Sequence, residues 1–436
     1  MTTERRTSNL WGLSPLFVFL IIYLATSLIL RDFYAMPLSV AFVVASVYAI
    51  ATTKGLTLEE RINIFNQGAS NSNIITMIWI FVLAGAFAQG AKSIGAIDAS
   101  VALILNLLPT YLLLPGLFLA ACLISLAIGT SVGTIIALIP IALGLTESTG
   151  VSSAFLCGLV AGGAFFGDNL SFISDTTIAA TRTQRVGMSD KFRVNFLITM
   201  PAAMLCLLIY AFVGSNIIDY TVPNMGSLLL IFPYLVVIIT ALLSWNVLLV
   251  LSLGIVSCGL ACLLTGQDVW MWIASLGDGI KNLNELIIVT LLAGGMLALI
   301  KQNGGLNYLL EQLVHRVRGR RGGEFAIAIL VVVSNICTAN NTIAILTSGE
   351  VAREIAHKYQ IDPRRSASIL DTFSCMTQGL LPYGAQLLLA AGFASISPLS
   401  IVSYMYYPIL LGVCTALAIV AQYPRKFTSK TASYNE

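Results

Sequence analysis

Charged residues and histidines are scarce in this chain. Of its 436 residues, 10% are Asp, Glu, Lys or Arg and two are His, whereas 57% are hydrophobic and the mean hydropathy is +0.89. Soluble domains carry about 25% charged residues, so this composition excludes an ordinary soluble protein. The near absence of histidine means that any proton coupling must depend on carboxylates. The net charge of +3 comes from loops without interleaved aromatics, and we therefore expect no nucleic-acid partner.

Motifs for metals, cofactors and enzymatic chemistry are also missing. The eight cysteines are scattered through apolar segments without a CxxC pair or a Cys/His cluster, which predicts free, buried thiols. No HExxH, Walker A or Ser/His motif occurs, so the sequence predicts a protein that is not an enzyme and needs no cofactor. The N-terminus has no signal-peptide pattern, and its first apolar run is typical of a membrane helix.

Apolar runs of membrane-spanning length recur along the whole chain. A bilayer helix needs about 17–25 residues. The sequence therefore predicts an all-α polytopic membrane protein with about 10–12 membrane-spanning segments. The clearest runs lie at 15–30, 74–89, 194–213, 228–243, 247–264 and 401–421.

The two halves of the chain resemble each other at a shift of 209 positions, which aligns Leu-Ala-Gly at 83–85 with the same residues at 292–294. In each pair of equivalent loops, basic residues are concentrated in one loop, and the other holds at most one, Lys92. Since basic loops face the cytoplasm, equivalent loops should lie on opposite membrane faces. The basic loop residues are Arg182, Arg185, Lys191 and Arg193 in the first half, and Lys301, Arg316, Arg318, Arg320, Arg321, Arg353, Lys358, Arg364 and Arg365 in the second.

This pattern predicts two inverted-topology repeats, an arrangement found in secondary transporters. Arg5 and Arg6 at one end and Arg425, Lys426 and Lys430 at the other predict that both termini are cytoplasmic. The predicted divisions are leading membrane helices at 1–56, repeat one (the transport half) at 57–193, linking helices at 194–279, the inverted repeat two at 280–393, and a final helix with a cytoplasmic tail at 394–436.

A polar segment at 167–177 interrupts strongly apolar sequence and contains Asp168 and Asp175. Such oxygen-rich sequence at membrane depth is costly unless it lines a cavity, and carboxylates with hydroxyls suit a hard cation. The two carboxylates would share one face of an unbroken helix, or an unwound segment could fold both around one ion. In the alternative, Asp168 caps a helix or pairs with Arg182, and Asp175 is a helix N-cap. The predicted hydroxyl ligands here are Ser171, Ser174 and Thr176.

Two further polar interruptions, at 129–134 and 338–342, predict broken helices or the tips of re-entrant hairpins. The first supplies Thr130 and Ser131 as candidate ligands. The second supplies Asn340, Asn341 and Thr342, which suit a cation, a carboxylate substrate or the opposing hairpin. Hydrogen bonding between helices is the alternative role of these amides.

A third cluster contains Asp371 and Gln378, followed by Gly379, Pro382 and Gly384. In the repeat alignment this cluster lies opposite the Asp168 segment, after a gap of a few residues. The glycines and the proline predict another broken helix. A structural ion pair with Arg365 is the alternative role of Asp371.

The sequence Gly-Asp-Asn-Leu-Ser at 167–171, followed by Ser-Asp-Thr-Thr at 174–177, resembles the signature of the NhaC-type sodium/proton antiporter family. Residues 129–134 also resemble the first hairpin motif of that family. Lysine is usual where this chain has Asn169, and proline where it has Phe172, so a positive charge beside Asp168 is lost. The resemblance implies inverted repeats with paired hairpins, a bacterial inner-membrane location, a homodimer, and Na⁺ and H⁺ as coupling ions.

These observations predict Na⁺/H⁺ antiport by alternating access, in which Na⁺ and H⁺ compete for Asp168 and Asp175. The second half of the site would come from Asn340, Asn341, Thr342, Asp371 and Gln378. The alternative is a Na⁺-coupled symporter or exchanger of a small organic solute, such as an amino acid or a carboxylate. The amide-rich pair at 340–341 and Gln378 favour that alternative, since antiport of bare ions needs no such hydrogen-bonding surface.

Overall fold

All regular secondary structure in the described part of the chain is helical. The structure is a computed structural model, and it describes residues 9–30, 36–107, 109–171, 174–214, 226–243, 245–305 and 319–424, together with residues 222 and 308. The first ten α-helices are α1 (Ser14–Leu30), α2 (Leu38–Thr52), α3 (Leu58–Ala69), α4 (Ser72–Ser93), α5 (Ala96–Leu107), α6 (Thr110–Ile128), α7 (Ser131–Thr149), α8 (Ser153–Leu170), α9 (Asp175–Gln184) and α10 (Met188–Gly214).

Ten more α-helices complete the described chain. They are α11 (Phe232–Leu242), α12 (Val247–Leu264), α13 (Val269–Asn282), α14 (Asn284–Gln302), α15 (Gly319–Thr338), α16 (Asn341–Lys358), α17 (Pro363–Leu380), α18 (Ala385–Ala394), α19 (Pro398–Val402) and α20 (Tyr406–Ala421). Short 3₁₀ helices at Leu10–Leu13 and Leu228–Ile231 precede α1 and α11.

Seven helices of the described chain are long and apolar enough to cross a membrane, or eight if the bent pair α5 and α6 forms one span. Four shorter apolar helices accompany them. The all-α polytopic class is therefore confirmed. All eight cysteines are free thiols, as predicted, and only Cys414 among them is not fully buried.

Breaks between helices fall where the polar interruptions predict them. Gly129 adopts a left-handed conformation (φ 75°) that ends α6, and the extended Thr130 then starts α7. Ala339 has a φ of 49° at the equivalent break between α15 and α16. Glycine adopts this conformation without strain, whereas a residue with a Cβ is held there at a cost of about 1–2 kcal/mol. Each break forms the tip of a helical hairpin.

The order of helices repeats with a period of about 210 residues. The hairpin arm α7 begins at 131 and its counterpart α16 at 341, while α8 begins at 153 and its counterpart α17 at 363. The contacts are reciprocal, because α9 packs against α16 and α18 packs against α7. The hairpin of each repeat thus contacts the broken helix of the other. The domain divisions given above remain predictions.

Matched glycine contacts join α4 to α13 and α14 to α3, so that each repeat packs against the helix that precedes the other. Gly85 of α4 meets Gly279 of α13 so closely that a Cβ on either residue would overlap the backbone of the other. Gly68 of α3 and Gly294 of α14 form the equivalent contact. Because neither helix pair can approach this closely with larger side chains, these glycines fix the positions of α4 and α14 beside the central hairpins.

Candidate cation site

The Asp168 side chain lies where the last turn of α8 meets the first turn of α7. It is 4% exposed, and its Oδ1 accepts a hydrogen bond of 2.9 Å from the backbone N–H of Ser131. That N–H is one of the donors left free at a helix N-terminus, where a negative charge is favourable. Asp168 therefore caps α7 from a neighbouring helix, which is one of the two alternative roles that the sequence left open.

Buried hydroxyl groups lie close to the backbone at the end of α8. Ser171, Ser174 and Thr176 are all buried. The hydroxyls of Ser174 and Thr176 lie 2.8 Å apart, and Thr176 Oγ1 donates to the backbone carbonyl of Asp168 at 3.3 Å. Phe172 and Ile173, in the middle of the predicted segment, lie outside the described residues. The break between α8 and α9 thus brings oxygen atoms together around the end of α8.

A chain of side-chain hydrogen bonds connects the two hairpin tips. Gln386 of α18 donates through Nε2 to Ser131 Oγ at 3.0 Å and accepts through Oε1 from Gln378 Nε2 at 2.9 Å. Gln378 also donates to the carbonyl of Ala339 at 3.1 Å. The tip at Ser131 and the tip at Ala339 therefore meet through two glutamines from the second repeat, and one end of this chain contacts Asp168.

The other predicted residues of the hairpin tips serve mainly local roles. Asn340 caps α16 by accepting from the N–H of Ile343 at 3.0 Å, and the N–H of Thr342 donates to Asn341 Oδ1 at 3.1 Å. Asn341 is buried, with its amide nitrogen 3.9 Å from Cys375 Sγ. Thr130 is the N-cap residue of α7, without a capping bond from its side chain. Their proposed contact with an ion or a solute remains a prediction.

A second buried carboxylate, Asp371 of α17, pairs with Lys191 of α10. The distance between Lys191 Nζ and Asp371 Oδ2 is 2.7 Å, and both side chains are at most 1% exposed. Lys191 also donates to the carbonyl of Asn169 at 2.8 Å and to Thr177 Oγ1 at 2.7 Å. Asn195, one turn further along α10, donates to Asn169 O at 2.9 Å and to Asp371 Oδ2 at 2.8 Å.

Lys191 and Asn195 are the functional candidates that sequence reasoning missed. The sequence predicts Lys191 in a basic cytoplasmic loop, and this prediction is wrong, because α10 begins at Met188 and the Lys191 side chain is buried in the protein core. The available signal was the spacing of the two residues, since a lysine and an asparagine four positions apart share one helix face. The remaining basic residues of that loop, Arg182, Arg185 and Arg193, are exposed.

The two carboxylates of the polar segment have different environments. Asp168 is buried at the end of α8, whereas Asp175 opens α9 with an exposed side chain. The shared helix face fails because the helix ends at Leu170, before a second turn can form. The alternative pairing of Asp168 with Arg182 is also wrong, since Arg182 is exposed and forms no ion pair with Asp168.

The alignment of the two repeats in the structure also differs from their alignment in the sequence. The helices α8 (Ser153–Leu170) and α17 (Pro363–Leu380) match without a gap, so the counterpart of Asp168 is Gln378 and not Asp371. Asp371 lies two turns earlier in α17. The two repeats therefore contribute different groups to the candidate site, namely a carboxylate from the first repeat and a neutral amide at the equivalent position of the second.

Arg365, the alternative partner of Asp371, instead pairs with Glu324 of α15. Its guanidinium bonds both Glu324 oxygens, at 2.6 and 2.9 Å, and Glu324 is fully buried. Arg365 also donates to the carbonyls of Ala418 and Tyr423 at the end of α20. The pair joins three helices of the second half, and Arg365 does not act on Asp371.

Arg365→Met should destabilise the protein by up to about 3–5 kcal/mol, because the buried Glu324 then keeps only Arg320, at 3.6 Å, as a counter-charge. Thermal unfolding in detergent would measure this loss. The matched control is the double variant Arg365→Met/Glu324→Leu, which removes both charges and should recover much of the stability. Equal melting temperatures for Arg365→Met and the unchanged protein would contradict the importance of the pair.

Asp168 is exceptional among the buried carboxylates of the described chain. Three of the four form an ion pair with a basic side chain, and Asp168 forms none. The ion pairs are Glu324–Arg365, Asp362–Arg364 and Asp371–Lys191, with N–O distances of 2.6, 2.6 and 2.7 Å. A buried carboxylate without a counter-charge is stable only when it binds a proton or a cation.

A buried, unpaired carboxylate between two hairpin tips, in a membrane protein built from repeats with broken helices, defines a secondary transporter that moves cations. The chain belongs to the Na⁺/H⁺ antiporter family, whose model matches residues 3–215 and 163–423. The resemblance carried by residues 167–177 is thereby confirmed.

Two sequence relatives agree with this assignment. The Na⁺/H⁺ antiporter NhaC of Bacillus subtilis is 23% identical over 81% of this chain and 84% of its own length. The malate-2H⁺/Na⁺-lactate antiporter of the same organism is 21% identical over 93% of each chain. Among solved structures, Neisseria gonorrhoeae MtrF, described as one of a class of antimetabolite efflux pumps, aligns with a TM-score of 0.41 at 13% identity, covering 88% of this chain and 95% of its own.

Proposed function

We propose that the protein exchanges Na⁺ for H⁺ across the membrane by alternating access, and that both ions compete for Asp168. One observation carries this proposal: Asp168 is the buried carboxylate of the described chain that has no basic partner. The negative charge of an empty Asp168 would be uncompensated in a low-dielectric environment. Either a proton or Na⁺ must therefore be present, and occupancy by one ion excludes the other.

The surrounding groups suit Na⁺ as the transported cation. The hydroxyl of Thr176 contacts the backbone carbonyl of Asp168, and the hydroxyl of Ser174 contacts that of Thr176. A hard cation prefers oxygen ligands such as these. The neighbouring positive charge, Lys191, is already matched by Asp371 and therefore leaves Asp168 available. Carboxylate and hydroxyl oxygens also release the cation readily when a proton neutralises the carboxylate.

Alternating access requires that the site open to one side at a time. The hydrogen bonds from Gln386 to Ser131 and from Gln378 to Ala339 join the hairpins across the centre. Separation of one hairpin tip from these glutamines would expose Asp168 to one face, and separation of the other would expose it to the opposite face. Asp175, exposed at the start of α9, would attract cations toward Asp168 and need not hold the ion itself.

Everted membrane vesicles that contain the protein test this function. Addition of Na⁺ should dissipate an imposed proton gradient, and Li⁺ and K⁺ measured in the same way would give the selectivity. Vesicles without the protein are the control. A proton gradient that is unaffected by any of the three cations would contradict Na⁺/H⁺ antiport.

A second candidate, Na⁺-coupled transport of a small organic solute, is favoured by a cavity of about 350 Å³ beside the second hairpin tip. The cavity lies between α4, α14 and the tip, and polar side chains of Thr290, Lys301, Thr338 and Asn340 contribute to its lining. Lys301 would suit the carboxylate of an organic acid. The related malate-2H⁺/Na⁺-lactate antiporter carries such solutes.

The same vesicles separate the two candidates. Proton movement that needs only Na⁺ supports the antiporter, whereas proton or Na⁺ movement that appears only with lactate, malate or an amino acid supports the solute carrier.

We further propose that the protein lies in a bacterial inner membrane with both termini in the cytoplasm, and that it assembles as a homodimer. Light scattering of the purified protein in detergent would test the dimer.

A further inference from the structure

The ammonium group of Lys191 lies in a cage of oxygen atoms close to the proposed exchange site. Its three neighbours are Asp371 Oδ2, the carbonyl oxygen of Asn169 and Thr177 Oγ1, at 2.7, 2.8 and 2.7 Å. An ammonium group has three N–H donors and no acceptor, so these three oxygens satisfy it completely. One of them is a carbonyl at the end of α8, where a helix favours a positive charge.

The composition of this cage is that of a binding site for a hard cation. It combines a carboxylate, a backbone carbonyl and a hydroxyl, all buried, and such oxygens are the ligands of alkali and alkaline-earth ions. Two further buried oxygens, Asn169 Oδ1 and Asn195 Oδ1, accept no hydrogen bond from the described chain. The Asn195 amide orientation is fixed, because its nitrogen donates to two acceptors.

The cage is continuous with the Asp168 site. Asn169 follows Asp168 directly, and Thr176, which donates to the Asp168 carbonyl, precedes the cage residue Thr177. A second mobile cation in the cage would therefore lie beside the one at Asp168. Lys191 holds that position with a charge that cannot leave the protein.

We propose that Lys191 is a tethered cation that occupies a second cation-binding position formed by Asp371, Asn169 and Thr177. The Lys191 ammonium limits the protein to the mobile ion at Asp168, and its removal converts the cage into an additional Na⁺ site. This inference rests on the proposed function, since it takes Na⁺ at Asp168 as the first site.

The ordinary structural role of a buried ion pair makes a different prediction. If Lys191 only joins α10 to α8, α9 and α17, its replacement would lower stability without a gain of Na⁺ binding. If the cage is a cation site, in contrast, replacement of Lys191 allows Na⁺ to bind to Asp371 in its place. Alkaline buffer favours this binding, because few protons are then available to neutralise Asp371.

The test is equilibrium binding of ²²Na⁺ to the purified full-length protein in alkaline buffer, with the unchanged protein and Lys191→Met compared. Lys191→Met keeps an unbranched side chain, shorter than that of lysine by its terminal ammonium position, and removes the charge. We expect this variant to bind one more Na⁺ per chain than the unchanged protein. The double variant Lys191→Met/Asp371→Asn removes the carboxylate as well and should return to the original number.

Each outcome has a distinct meaning. An equal number of bound Na⁺ ions in Lys191→Met and the unchanged protein overturns the tethered-cation proposal, and so does a gain that persists in the double variant. Absence of Na⁺ binding by the unchanged protein would instead overturn the proposed function. If Lys191→Met fails to fold, Lys191→Gln, whose amide retains a donor for Asp371, is measured with the same expectation.

Discussion

Asp168→Asn should reduce Na⁺-dependent proton movement to the level of vesicles that lack the protein. Asparagine keeps an oxygen that can accept the N–H of Ser131, so the cap of α7 survives the substitution. It has no titratable proton and no negative charge, however, and the competition between Na⁺ and H⁺ then ends. Initial rates of dissipation of the proton gradient, at equal amounts of folded protein, would measure the loss.

Asp175→Asn is the matched control for this experiment. It makes the same chemical change seven positions away, at an exposed side chain. Exposed charges contribute about 0–1 kcal/mol, so the apparent affinity for Na⁺ should change by no more than about fivefold. Normal exchange by Asp168→Asn would refute the role of that carboxylate. Complete loss in Asp175→Asn alone would move the site to the start of α9.

Gly167→Ala should lower both stability and exchange, because residue 167 lies where α8 packs tightly against α6. A Cβ there would overlap the side chain of Ser125 and lie 2.5 Å from its backbone carbonyl carbon. The helices must move apart, and overpacking of this kind costs about 1–3 kcal/mol. The shift would also displace the adjacent Asp168 from the N–H of Ser131.

The control for Gly167→Ala lies in the same helix. At Gly162 the nearest atom to an added Cβ is Tyr407 Cβ, at 3.2 Å, so the neighbouring helix would move by only a few tenths of an ångström. We therefore expect Gly162→Ala to transport Na⁺ and to melt near the temperature of the unchanged protein. Thermal unfolding and vesicle transport, measured together, check both variants. A stable, active Gly167→Ala would contradict the tight packing of α6 against α8.

The sequence predicts the helical class and the positions of the breaks, because each depends on local signals. Apolar runs of membrane length identify the helices, and polar or glycine-containing interruptions such as Gly129–Thr130 identify the hairpin tips. Asp168 is also predictable, since a carboxylate in apolar sequence is costly without a function. These features need no knowledge of tertiary contacts.

Pairing between distant side chains is not predictable in this way. Whether Lys191 belongs to a loop or to the core depends on where α10 begins and on which helix faces it. Whether Arg365 neutralises Asp371 or Glu324 depends on the rotation of α17 against α15. The sequence also suggests that the positive charge usual at residue 169 is lost. In the structure Lys191 supplies a positive charge at the Asn169 carbonyl.

Proton release on Na⁺ binding tests the central claim, competition of the two ions for Asp168, most directly. A pH indicator in weakly buffered solution would record protons when Na⁺ is added to the purified, protonated protein in detergent. We predict that protons are released in saturable proportion to bound Na⁺, and that Asp168→Asn releases none. Binding of Na⁺ without proton release, or equal release by Asp168→Asn, would contradict the account.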